Sequence, residues 1–401
     1  MLLGDGPERL RSWRRATKRR RVLTALDNHL DDLKKHSLGG SMSEPARHML
    51  IAGATGVATQ FLIDIVGATP GWKVTGLCRR PPESSQPNVS YVSADLLDFE
   101  SCREAVAGRD FTHIVYAARA PHSLYTAMKP YERVGIEDVQ PNLAMLENIV
   151  NAARGPDLRH VHAVMGSKWY GIHIGPVRTP MVEADAGHMP PNYYFSQQKF
   201  LEEASAKGDW SWSTSRPNVI TGTRDRAGPN FISTIGAYAA ICRHLGLPLD
   251  FPGKPGHYTS LQELSDAEVL AKSIFWMCQS KQAENQAFNV TNGDVFRWED
   301  IWPNVARHFG MEVGRVRHMS LIQWMADKGE VWNDIVRENE LRPLPLNQVA
   351  SWAFADFVFS WDYDVISSTT KIRKAGFHEI LDTGDMILAQ LEDFRRRRIL
   401  P

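Results

Sequence analysis

Net charge is the first thing this sequence lacks: its 401 residues carry 46 Lys and Arg against 46 Asp and Glu. A chain in balance has no basic excess with which to neutralise a phosphate backbone, so nucleic acid is not expected as a partner. Cysteine is scarce as well. Cys78, Cys102, Cys242 and Cys278 are scattered, and no two stand at CxxC spacing. That pattern excludes a disulfide framework and a cysteine-based metal site, and reads as the reduced thiols of a cytoplasmic enzyme. No apolar run reaches the roughly 18 to 20 residues that span a bilayer, so no membrane partner is expected. Internal repeats and low-complexity segments are missing too. What is present is an ordinary globular composition, 43% hydrophobic, enough for one large domain or two moderate ones.

Residues 1–45 differ from the rest. Arg9, Arg11, Arg14, Arg15, Lys18, Arg19, Arg20 and Arg21 crowd a short stretch. Dense like charge resists collapse, so the stretch reads as a basic, flexible extension. An organelle or nuclear address is a second reading, against which Asp5, Glu8, Asp27, Asp31 and Asp32 count in its mitochondrial form. An upstream extension without a role is the third, because Met42 would open a complete enzyme.

From residue 46 to 222 strands alternate with helices. His48 to Ala52 is a short apolar run that stops at glycine, as a buried parallel strand does. Gln60 to Val66 suits a helix, Trp72 to Leu77 a strand, Ser101 to Ala107 a helix and Thr112 to Ala117 a strand. Gln140 to Ala153 has helical spacing, and His160 to Met165 is a fifth strand. The alternation predicts an α/β Rossmann fold with a doubly wound parallel sheet. From 223 to 401 helical segments dominate: Phe231 to His244, Leu261 to Gln279, Trp298 to His308, Leu321 to Glu338 and Gly384 to Arg397. This second region is expected to be mostly helical and to bind substrate. Trp298, Trp302, Trp324, Trp332, Trp352 and Trp361 should be mostly core, with one or two lining an apolar pocket.

The first strand runs into Gly53-Ala54-Thr55-Gly56-Val57-Ala58-Thr59. Glycines at Gly53 and Gly56 suit a tight turn that brings a dinucleotide's pyrophosphate to a helix N-terminus. Thr59 stands where the usual pattern has a third glycine. The second strand ends in Cys78-Arg79-Arg80-Pro81, where an NAD enzyme would place an acid for the ribose hydroxyls. Arg79 and Arg80 suit a 2′-phosphate instead, so NADP(H) is the expected cofactor. Asp95, before Leu96, suits a hydrogen bond to the adenine amine. Ala117 closes the fourth strand, where small residues let backbone approach the cofactor.

A reductase needs a donor for the oxygen that gathers charge and a cation to support that donor. The usual Tyr-x-x-x-Lys of short-chain dehydrogenases is absent. In Asn192-Tyr193-Tyr194-Phe195-Ser196-Gln197-Gln198-Lys199, the residue four before Lys199 is Phe195. Tyr194 and Lys199 would stand about 140° apart around a helix. Either the site is dead or its lysine comes from elsewhere, and Lys168, just past the fifth strand in Gly166-Ser167-Lys168-Trp169-Tyr170, could supply it.

With these stretches, Arg216-Pro217-Asn218, Ala287 to Phe296 and Val331 to Asn339, the chain from about Met49 to Pro401 resembles the progesterone 5β-reductase and iridoid synthase-like enzymes. They are an atypical branch of the extended short-chain dehydrogenases. The resemblance implies NADPH-dependent reduction of a carbon–carbon double bond conjugated to a carbonyl, in a steroid- or terpenoid-like enone or enal. It puts the catalytic tyrosine on Tyr194, the lysine on Lys168 and a substrate-pocket aromatic on Phe354. Gly53, Thr55, Gly56, Val57, Arg79, Arg80, Asp95, Leu96, Ala117, Lys168 and Tyr194 would hold the cofactor, with no metal. The partner is then a small apolar carbonyl compound, and a homodimer is an assembly left open. Met165 stands where the family usually has threonine, and Lys199 where it often has an acid. Two other readings remain on the same scaffold: a carbonyl reductase or epimerase/dehydratase-like enzyme, and a non-catalytic NADP(H)-binding protein.

Overall fold

The computed structural model describes residues 47–84, 86–120, 138–185, 187, 191–225 and 228–401; the extension at 1–45 lies outside them. In strand β1 (Arg47–Ala52), Met49 and Ile51 point to one face while Leu50 and Ala52 point to the other, and all four are buried. A strand apolar on both sides must be covered on both sides. The remaining strands of its sheet are β2 (Trp72–Leu77), β3 (Val89–Val92), β4 (His113–Tyr116), β5 (His160–Val164), β6 (Ser211–Pro217) and β7 (Gln286–Val290). All pair in parallel, in the order β7-β6-β5-β4-β1-β2-β3. The reversal of strand order beside β1 is the switch point at which α/β sheets bind ligands.

The longer helices are α1 (Val57–Gly67), α2 (Phe99–Val106), α3 (Val139–Ala153), α4 (Tyr193–Ser205), α5 (Phe231–His244), α6 (Ala267–Met277), α7 (Trp298–His308), α8 (Gly329–Glu338), α9 (Trp352–Phe359) and α10 (Thr383–Arg396). Leu62, Ile63 and Val66 of α1 and Leu270 and Ile274 of α6 cover the Met49 face of the sheet. Cys102 of α2, Leu146 and Ile149 of α3 and Leu201 of α4 cover the Leu50 face. A third core gathers on α5, buried along its whole length from Phe231 to Cys242, with Trp302, Trp332, Phe359 and Leu391 around it. The indole N–H of Trp302 donates to the Leu249 carbonyl at 3.1 Å and that of Trp332 to Leu344 at 2.9 Å, so neither buried ring leaves a polar atom unsatisfied.

The division at 222/223 does not describe the folded chain. After Gly222 the chain returns to the sheet: α6 covers one face and β7 extends the edge beyond β6. The physical reason is the exposed edge of β6, whose backbone groups β7 satisfies, from Gln286 opposite Ser213 to Val290 opposite Pro217. Two helical segments are also shorter than their periodicity. Ser265 and Asp266 pair with Ile220 and Thr221 as a short strand, and Asp266 then caps α6 by accepting from Glu268 and Val269 N–H. The stretch from Leu321 splits into Leu321–Trp324 and α8, and the Asp356 carboxylate accepts from the N–H groups of Leu321 and Ile322 at the start of the first piece. Among the tryptophans, Trp298, Trp302, Trp332 and Trp361 are buried, Trp352 is half-buried, and Trp324 is exposed under the Arg317 guanidinium. No helix among the described residues is long and apolar enough to cross a membrane.

Candidate active site

One cleft follows the carboxyl ends of β1, β2 and β4. Gly53 sits at φ +90°, and a Cβ there would lie 2.8 Å from the Ala117 carbonyl oxygen, so only glycine lets the first turn pass β4. Gly53 and Ala54 N–H donate to the Leu77 carbonyl at 3.0 and 3.1 Å. The Thr59 hydroxyl, buried where a third glycine is usual, donates to the Gly53 carbonyl at 2.7 Å and to Gly56 at 3.0 Å. Threonine therefore ties the turn to the first turn of α1. That helix has no side-chain cap and no acid in its first turn, which leaves the positive end of its dipole open to an anion.

Gly53, Thr55, Gly56, Arg79, Asp95, Leu96 and Ala117 line this cleft, of about 320 Å³, together. A wider one, about 770 Å³, shares Thr55, Cys78 and Arg79 with it and is also bordered by Arg80 and Pro81. Val57 is the first residue of α1, directly beyond Gly56. Both arginines are exposed. One Asp95 carboxylate oxygen accepts from Leu97 N–H at 3.0 Å, which sets the turn that presents the residue. Arg119 also borders the inner cleft, a cation the sequence reading passed over in favour of the small residues beside it. Its signal was its place immediately past β4. These residues fit a dinucleotide: a turn at Gly53 that no Cβ could share, an uncapped helix start and arginines at the outer end.

The register of β4 and β5 pairs Tyr116 with Ala163, so Ala117 lies beside the segment Val164-Met165-Gly166. Here the other half of the site assembles. Met165 is buried, its N–H donating to the Ser215 carbonyl at 2.8 Å. A 3₁₀ turn, Ser167–Tyr170, carries Lys168. The Ser167 hydroxyl donates to Asn218 Oδ1 at 2.8 Å. Asn192 joins the turn to α4: its Nδ2 donates to the Lys168 carbonyl at 3.1 Å, while its Oδ1 accepts from Tyr194 N–H at 2.9 Å as the helix cap. The Tyr194 hydroxyl reaches the end of β5, where a Cβ added to Gly166 would stand 3.1 Å from it.

Lys199 pairs along the helix surface. Its Nζ lies 3.7 Å from Glu203 one turn along α4, and its side chain is 73% exposed. Lys168 Nζ instead stands 5.5 Å from the centroid of the Phe357 ring on α9. Phe354, half-buried on the same helix, packs 6.4 Å from both Phe231 and Phe357. The aromatic ring beside the lysine is thus that of Phe357, one turn past the residue the sequence pointed to. Among the described residues no group of three or more His, Cys, Asp or Glu could hold a metal ion.

Residues 107–401 match the model of the PRISE-like Rossmann-fold domain. A similar protein is an (S)-8-oxocitronellyl enol synthase of Nepeta cataria, 32% identical over 377 residues, covering 88% of this chain and 92% of the relative. Another is a 3-oxo-Δ(4,5)-steroid 5-β-reductase of Arabidopsis thaliana, 30% identical over 370 residues, with 88% and 92% covered. Among solved structures, UDP-glucose 4-epimerase of Thermotoga maritima superposes with a TM-score of 0.60 at 13% identity, covering 87% of this chain and 99% of that one. The Thermus thermophilus UDP-glucose 4-epimerase, in complex with NAD, gives 0.58 at 17% identity, with 87% and 99% covered. At such identities these two show a shared fold and nothing of the reaction.

Proposed function

We propose, starting from the fact that this chain belongs to the PRISE-like Rossmann-fold family, that it is an NADPH-dependent reductase of carbon–carbon double bonds conjugated to a carbonyl. It is an oxidoreductase of the short-chain dehydrogenase type acting on C=C bonds. The steroid relative's name carries the chemistry: a 3-oxo group conjugated to a 4,5 double bond, reduced at C5, is an enone reduced at its β-carbon. The observation that carries the reading is the placement of the Tyr194 hydroxyl at the Gly166 end of β5, with Lys168 on the next turn and Lys199 paired with Glu203.

NADPH, when bound, supplies the hydride for the β-carbon. Gly53, Thr55, Gly56 and Val57 would seat its pyrophosphate, Arg79 and Arg80 its 2′-phosphate, and Asp95, Leu96 and Ala117 the adenosine and the inner wall. As negative charge builds on the substrate's carbonyl oxygen, the Tyr194 hydroxyl donates a hydrogen bond to it. The Lys168 ammonium lowers the energy of charge at that place. A preset donor does this without the reorganisation that water would need. The enolate then takes a proton from water at its α-carbon, which leaves hydroxide to the solvent and completes the saturated carbonyl product. Phe354 and Phe357 offer an apolar wall, suited to a terpenoid- or steroid-like skeleton rather than a sugar.

The test is a screen of NADPH oxidation with small enals, small enones and a steroid enone, alongside a simple ketone. Turnover with a conjugated substrate and none with the ketone is expected. The opposite pattern would make the protein a carbonyl reductase. Cofactor binding without turnover of any of them would make it a binding protein.

A further inference from the structure

One buried cation lies between the two elements that carry Lys168 and Tyr194. Arg216, on β6, keeps 1% of its surface accessible. Its guanidinium carbon stands 3.8 Å from the centroid of the Trp169 ring and 5.4 Å from that of Tyr170, the two residues that follow Lys168 in the 3₁₀ turn. Nη1 donates to the Tyr170 hydroxyl at 3.0 Å and to the Glu183 carbonyl at 3.2 Å. Nη2 donates to Oε1 of Gln198 at 3.2 Å. Gln198 is four residues past Tyr194 on α4, one turn along the same helix side.

Burying a guanidinium is costly, and a carboxylate partner is the usual compensation. Here the three hydrogen bonds go to neutral acceptors, a phenol, a backbone carbonyl and an amide, while the Glu183 carboxylate acts on the cation through space. An apolar side chain could fill the space without that cost. What an apolar group could not do is hold two elements at a set distance through a rigid plane and a fork of donors.

We propose that Arg216 is a positioning residue that sets where Lys168 and Tyr194 stand relative to each other. Its plane orients the turn through Trp169, Nη1 ties the turn through Tyr170, and Nη2 ties α4 through Gln198. The Tyr170 hydroxyl passes the restraint on to Asn289 Oδ1 at 2.6 Å, and the Asn289 N–H donates to the Glu183 carboxylate at 2.9 Å, so the clamp is anchored on β7. The inference rests on Lys168 and Tyr194 being the reacting pair.

The experiment compares Arg216→Lys, Tyr170→Phe and Gln198→Met with Lys168→Ala and Tyr194→Phe. For each, kcat and KM for an active enone, the NADPH dissociation constant by fluorescence and the melting temperature are measured. A misplacement of about 1 Å costs about 100-fold in rate. Arg216→Lys, which keeps the charge but not the plane, should therefore lower kcat by about 10- to 100-fold, with NADPH binding within about twofold of wild type. Tyr170→Phe and Gln198→Met should each lower kcat less, and neither should lower it further in the Arg216→Lys background. If Arg216→Lys does not fold, the two milder variants decide. Full kcat in Tyr170→Phe and Gln198→Met, with Tyr194→Phe and Lys168→Ala impaired, overturns the proposal alone. Losses in kcat that only track weaker NADPH binding and a lower melting temperature also overturn it, since they mark a merely structural role. If Tyr194→Phe and Lys168→Ala themselves keep full turnover, the underlying assignment of the pair fails first.

Discussion

Lys168 and Lys199 bear the same ammonium on the same flexible stem and differ in where the backbone puts them. Lys199 pairs with Glu203 at the surface, whereas Lys168 rises from a turn held by Ser167, Asn192 and Arg216. Lys168→Ala and Tyr194→Phe should each reduce turnover by about 10²- to 10³-fold at saturating NADPH, as removal of an oxyanion donor does. Lys199→Ala should leave turnover nearly unchanged, because an exposed i,i+4 pair is worth little. An inactive Lys199→Ala beside a fully active Lys168→Ala would return the protein to the ordinary Tyr-Lys enzymes. At the other end of the cleft, replacing Arg79 and Arg80 by alanine should weaken NADPH binding by about tenfold or more while leaving NADH nearly unaffected. Equal affinity of the unaltered protein for the two cofactors, measured by titration calorimetry, would show that these exposed arginines do not read the 2′-phosphate.

Helix α4 begins where Asn192 caps it, and the same side chain holds the Lys168 carbonyl. One buried residue thus joins two elements that the chain separates by more than twenty positions. Asn192→Ala removes a cap worth about 1 kcal/mol and frees the turn at once. The expected result is a lower melting temperature together with a fall in kcat, while Asn192→Asp, which can still cap, should recover the melting temperature and leave part of the kcat loss. Recovery of both by Asn192→Asp would show that the tie to Lys168 contributes nothing. Much of this level was readable in advance. The periodicity of α3, α5 and α7 and the apolar runs of β1 and β2 placed those elements within a few residues. The short strand at Ser265–Asp266 escaped notice because its two residues lie inside a stretch whose spacing suits a helix throughout.

Across the whole molecule, buried titratable groups make stability depend on pH in opposing ways. Burial holds His113 down to about 4 and His162 down to about 3, and His160 is lowered as well. The two β5 histidines lie in a ladder of serine hydroxyls on β6, with Ser213 touching both at 2.7 and 2.8 Å. Between the unfolded value near 6.5 and the folded ones, the unfolded chain binds more protons, so stability rises with pH and falls in acid. From pH 7 to pH 5, His113 and His162 should each remove about 2 kcal/mol. Burial pushes the Glu263 carboxyl the other way, up to about 7, although Ser367 donates two hydrogen bonds to it. Its contribution has the opposite sign and offsets about 2 kcal/mol over the same range. Urea unfolding should therefore show a net loss of stability at pH 5, and Glu263→Gln should steepen that loss. A free energy of unfolding that is level between pH 7 and pH 5 in both proteins would refute the account.

The sequence by itself determined the Rossmann alternation, the turn after β1, the arginines after β2 and the angular misfit of Tyr194 with Lys199, because each depends on spacing along a few adjacent residues. It also offered Lys168 as the substitute from its place just past the fifth strand, and the likeness to a family then put the lysine there. Only the tertiary structure decided that the chain returns to its sheet with β7 after a long excursion. An unfilled strand edge seeks a partner wherever the chain can supply one, and no local pattern records which segment that is. The tertiary structure also decided that Phe357 faces Lys168, and that Arg216 lies between the turn and α4. Such contacts join residues far apart in sequence, and their geometry exists only after the three cores have packed.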